Sequence, residues 1–180
     1  MALKSTIFKA SLNVADLDRG HYADYGLTLA RHPSETDERL MVRLLAFARH
    51  ADEHLEFGRG ISADDEPALW QKTYAGDIDL WIEVGLPDER LLRRASGRAG
   101  QVVVYAYGGR AMDAWWNKEG GAISRLANVT VWALDDETCH GLESLAERSM
   151  QLQCTIQDGS LWLTDGPGTV AVTPRRLTAD

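Results

Sequence analysis

The 180-residue chain carries 19 Lys and Arg against 27 Asp and Glu, a net charge of −8, with 44% hydrophobic and 26% charged residues. That balance predicts one packed domain over residues 1–180 and excludes disordered, collagen-like and coiled-coil chains. The acidity opposes long-range attraction to phosphate backbones, so a nucleic acid would need a local basic patch.

The opening stretch MALKSTIFKASLNV alternates polar and apolar residues and lacks the apolar core of a signal peptide. No segment approaches the ~20 apolar residues that span a bilayer. A cytoplasmic monomer without membrane contact is the resulting expectation. Cys139 and Cys154 have no C-x-x-C spacing and are expected to be reduced and structural.

In chain order, residues 4–14 and 22–31 alternate around DLDRG, the pattern of an antiparallel hairpin. In the following segment, Leu40, Met41, Leu44, Leu45 and Ala48 fall at helical spacing, with Ser34 and Asp37 as capping candidates. Residues 58–76 mix Gly, Asp and Pro; they predict a loop at the rim of a site, with a short helical turn around Pro67 to Trp70. IDLWIEVG (78–85) reads as a strand, LPDERLLRRASGRAG as a helix ending at Gly100, and QVVVYAYGG as a buried strand. Together they form a βαβ unit with a right-handed crossover. AMDAWWNKEG then reads as a helix, ANVTVWALDD as a strand and DDETCHGLESLAERSM as a helix. The tail, with Asp158-Gly159 between alternating runs and TVAV beyond a Gly/Pro turn, predicts a terminal hairpin or meander. The fold class is α/β, a mixed sheet flanked by helices, antiparallel at its ends and parallel in the middle.

Alternation on 78–85 puts Leu80, Ile82 and Val84 on one face and Asp79, Trp81 and Glu83 on the other. An ionised carboxylate in a covered strand costs several kcal/mol unless it is paired or metal-bound. Salt bridges to arginines such as Arg93 and Arg94, or a strand lying at the sheet margin, are one account, and a functional metal site is the other. Glu38 lies on the helix face of Met41, Leu45 and Ala48, which aims it at the sheet or leaves it in a solvated first turn. Asp79 and Glu83 stand ~13 Å apart along a strand, so one of them with Glu38 or Asp77 makes the more realistic pair. His50-Ala51-Asp52-Glu53-His54 fits the H-x-x-E-H zinc pattern, with two imidazoles one turn apart, a minor alternative because such sites need a third ligand on a following helix and this element lies at a polar helix end.

Several blocks in order resemble the YaeQ family of small bacterial proteins along almost the whole chain. They are ARHPSETDERLMVRLLAFARHADE, ADDEPALW, GDIDLWIEVGLPDER, AYGGRAMDAWW and LTDG. The resemblance implies a restriction-endonuclease-like variant of the PD-(D/E)XK nuclease fold. It also implies Mg²⁺ held by Glu38 as the helix acid, Asp79 as the motif aspartate and Glu83 as the first residue of E-x-K. That tripeptide is Glu83-Val84-Gly85 here, so glycine stands where the motif has lysine, and Arg93, Arg90 and Lys72 are the basic residues available to replace it. The implied function is a Mg²⁺-dependent phosphodiesterase. The alternative is a non-catalytic binding module with a protein or nucleic-acid partner.

Overall fold

The computed structural model describes residues 4–59 and 65–180. Strands β1 (Thr6–Asp16) and β2 (His21–Arg31) form the expected antiparallel hairpin. Along β1 Phe8, Ala10, Leu12 and Val14 are buried and the residues between them exposed, so one face of this hairpin is open. Helix α1 (Asp37–Arg49) is capped by Thr36, whose Oγ1 accepts from the Arg39 amide at 3.1 Å. The expected cap Ser34 instead bonds the His32 ring at 2.7 Å.

Strands β3 (Leu55–Phe57), β4 (Leu69–Lys72) and β5 (Ile78–Val84) form an antiparallel run. The expected helical turn around Pro67 to Trp70 is corrected by β4. The aromatic Trp70 is more stable paired across the ladder with Trp81, ring centroids 6.0 Å apart, than in an isolated turn. Residues 60–64 of the expected loop lie outside the described residues. Asp88 caps α2 (Glu89–Arg98), its Oδ1 accepting from the Leu91 amide at 2.8 Å. The chain turns straight into β6 (Ala99–Ala106), so Gly100 is a strand residue and not a helix stop. Next come α3 (Arg110–Ile123), β7 (Val129–Ala133) and α4 (Asp136–Ser144). The chain ends in β8 (Ser149–Gln157), β9 (Ser160–Thr164), β10 (Thr169–Val172) and β11 (Arg175–Arg176). The expected parallel pairs β5–β6 and β6–β7 are present, as is the terminal meander.

The single mixed sheet is corrected to two. One has the order β10-β9-β8-β1-β2 and the other β11-β7-β6-β5-β4-β3. The cause is the parallel pairing of β1 with β8, which joins the two terminal hairpins. A non-local contact of that kind leaves no periodic trace in either segment.

One core joins the inner face of the first sheet, α1, α4 and one face of the second sheet; another joins the far face of the second sheet to α2 and α3. Every residue of α1 from Leu40 to Ala48 is buried, so the helix is enclosed on all sides and not merely along one stripe. Arg43 is enclosed with it and is held by Glu35, which accepts from Arg43 Nη2 at 2.6 Å and Nε at 3.0 Å. Among the described residues no helix is long and apolar enough to cross a membrane.

Candidate functional site

Strand β5 is central to the second sheet, and its alternation runs as the sequence predicts. Leu80, Ile82 and Val84 meet the α1 core, while Trp81 packs in the α2 and α3 core. Glu83 lies on the face of Trp81, near the carboxyl end of the strand, where open α/β sheets commonly place ligands. The Trp81 indole Nε1–H donates to Glu83 Oε1 at 2.8 Å. Burial pushes the Glu83 carboxyl up to about 7, against the downward pull of that hydrogen bond and of the Arg39 charge. Desolvation therefore wins, and Glu83 keeps its proton to a higher pH than an ordinary carboxyl does. The indole is its partner, in place of the salt bridges to Arg93 or Arg94 that the sequence allowed.

Glu38 is on α1, across the plane of the second sheet from Glu83, and looks toward α4. Burial raises its carboxyl, and the charge of Glu143 adds to the rise. Tyr107, just past β6, stands between the charges of Arg39 and Glu38, with its hydroxyl pushed up to about 12 mainly by burial. Asp79 sits at the solvent-exposed beginning of β5. Arg93 is exposed on α2 and ion-paired with Glu89. Glu38, Asp79 and Glu83 thus occupy three separate surroundings, and Arg93 a fourth. Among the described residues no group of three or more His, Cys, Asp and Glu side chains is arranged to hold a metal ion.

Gly85 follows the strand with φ 112°, a conformation that L side chains rarely adopt, and its amide donates to the Tyr105 carbonyl at 2.9 Å. The chain turns away directly after β5. The zinc-type spacing at His50 and His54 is corrected too. Helix α1 ends at Arg49, so the two imidazoles do not share a helical face. His50 is instead half-buried, paired through Nε2 with the Tyr105 hydroxyl at 2.6 Å and pushed down to about 3 by desolvation.

Two features were only half visible in the sequence. The first is the indole–carboxyl contact, to which the two-residue spacing of Trp81 and Glu83 was the available signal. The second is the outer face of α2. Arg90, Arg94 and Arg98 recur at i, i+4 and i+8, which aligns them ~6 Å apart along one side of the helix. All three are exposed, and among the described residues none lies within ion-pair distance of a carboxylate. Arg98 lies over the Trp81 ring, 5.0 Å from its centroid, and donates to the Asp65 carbonyl at 3.2 Å. Trp81, Arg94 and Arg98 line a small cleft of about 140 Å³ with Asp65 and Leu91. The basic stripe, the indole and Glu83 are therefore contiguous.

Residues 1–174 match the model of the YaeQ protein family. The chain is 51% identical to the YaeQ protein of Salmonella typhi over 179 residues, 99% of this chain and 97% of that one. It is 51% identical to the YaeQ protein of Escherichia coli strain K12 over 172 residues, 96% and 95% of the two chains. The crystal structure of YaeQ from Xanthomonas axonopodis pv. citri superposes with a TM-score of 0.94 at 49% identity, covering 98% of this chain and 99% of that one. That of YaeQ from Pseudomonas syringae gives 0.93 at 41% identity, covering 98% and 97%. The chain belongs to the YaeQ family.

Proposed function

We propose that this protein is a non-catalytic binding module on a PD-(D/E)XK nuclease-like frame, and that its partner is a nucleic acid held by the outer face of α2. The conformation of Gly85 carries the non-catalytic part. At φ 112° the motif position disfavours any side chain, so lysine cannot be restored there without strain. Glu83 agrees with this reading through its surroundings, because its Oε1 accepts from the Trp81 indole and, among the described residues, no second carboxylate joins it in a group arranged to hold a cation. The nucleic-acid part rests on Arg90, Arg94 and Arg98, which form the local basic stripe that a chain of net charge −8 needs to hold phosphates.

The rival reading is a Mg²⁺-dependent phosphodiesterase with Glu38, Asp79 and Glu83 as ligands and Arg93 in place of lysine. Calorimetric titration of Mn²⁺ into wild type and Glu83→Gln separates the two. The binding module predicts no saturable heat in either protein. Saturable binding to wild type that disappears in Glu83→Gln would replace the proposal with the rival.

A further inference from the structure

A second candidate site lies on the open face of the first sheet, far along the chain from α2 and made of different chemistry. We infer that this face binds a neutral oligosaccharide. Two depressions of about 340 Å³ each run along it and meet at Ser11 and Gln151. Carboxamides and hydroxyls recur along both, beside Asp24, Asp165 and Lys9. Gln151 and Gln153 on β8 lie beside Ser11 and Asn13 on β1, and Thr164 closes the far side. Asn13 is oriented by its Nδ2–H bond to Asp24 at 2.8 Å. A carboxamide both donates and accepts, as the hydroxyls of a sugar do, so a row of them matches a polyhydroxylated chain without requiring charge.

The floor of the trough carries the observation that points to a ligand. Gly26 sits in the middle of β2, opposite Ser11 in an unbroken register. Its φ is not positive, and a Cβ built there meets nothing within 4 Å. Neither a turn nor tight packing explains it, and glycine weakens a strand interior. Its effect is to leave backbone open at the bottom of the depression, which is what close approach of a ligand requires.

One end of the trough, beyond Asn13 and Gln153, is flanked by two aromatic side chains. The strand registers place Tyr22, Ala15, Thr155 and Trp162 in one row across four strands. Tyr22 is 65% and Trp162 39% exposed, and only small side chains stand between them. The two rings are three strand spacings apart, ~14 Å. Indole and phenol rings stack on the C–H face of a pyranose while the hydroxyl edges reach the amides, a division of labour suited to aromatic side chains with one polar end. Charge argues against a phosphate-bearing chain here, because Asp24 and Asp165 line the trough and Lys9 is the lone cation at its edge.

The test is two-dimensional ¹⁵N–¹H NMR of the full chain titrated with cellohexaose, chitohexaose and maltohexaose at millimolar concentration, with oligo-dT as the anionic control. At least one hexaose is expected to shift the Gly26, Asn13 and Gln153 amides and the Trp162 indole in a saturable manner. Gly26→Val fills the trough with a strand-favouring residue and is expected to fold as well as wild type, with binding weakened tenfold or more. Trp162→Ala, a surface change, is expected to do the same. The inference is overturned if none of the three sugars moves these resonances, if Gly26→Val binds as wild type does, or if oligo-dT alone produces the shifts.

Discussion

Replacing Glu83 with glutamine probes the protonation that the site imposes. The carboxyl is raised from 4.5 to about 7 by burial. Between those values the folded protein holds a proton that the unfolded chain has lost, so stability falls as pH rises. This contribution is fully present below the unfolded value of 4.5 and gone above about 7. A rise of that size is worth about 3 kcal/mol at ~1.4 kcal/mol per pH unit. His50 acts in the opposite sense, since its pKa is lowered from 6.5 to about 3 and it withdraws stability as pH falls through that range. The difference between wild type and Glu83→Gln cancels His50 and isolates Glu83. Urea unfolding of both proteins at about pH 5 and about pH 8 should show near-equal stability at the lower pH and the glutamine variant more stable by about 2–3 kcal/mol at the higher. A difference that does not change with pH would refute the claim that burial dominates at Glu83.

The ion pair enclosed with α1 should be costly to break. Glu35→Gln leaves Arg43 buried and uncompensated, and a loss of about 3–5 kcal/mol is expected in chemical unfolding. Gly85→Lys should destabilise by about 1–3 kcal/mol through its positive φ and should confer no nuclease activity, as read by melting temperature and by release of label from a fluorescent oligonucleotide. Tyr105→Phe removes the buried hydroxyl that pairs the His50 ring, and a cost of about 1–3 kcal/mol should appear in the same unfolding assay.

Local periodicity was enough to locate the hairpin, α1, the βαβ unit and the closing meander, because each satisfies its hydrogen bonds within a short stretch. It was not enough for the partition into two sheets. The pairing of Ala10 with Met150 spans most of the chain and depends on which faces remain uncovered after collapse. The β4 strand was missed because Pro67 lies two residues before it and Gly76 closes the turn after it. Turn residues on both sides hid a four-residue strand. At the site, alternation correctly set Asp79, Trp81 and Glu83 on one face, yet it could not show that the indole is the partner of Glu83. Helical spacing aimed Glu38 inward, but the sheet lies between it and Glu83, and only the packing of α1 between layers shows that separation.

The central claim is most directly tested by fluorescence anisotropy of a labelled single-stranded oligonucleotide titrated with wild type and with Arg90→Glu/Arg94→Glu, in EDTA and in Mg²⁺. The account predicts salt-sensitive binding in EDTA that Mg²⁺ does not enhance, loss of binding in the double variant, and an intact oligonucleotide throughout. Binding unchanged in the double variant, or cleavage that requires Mg²⁺ and Glu83, would contradict it.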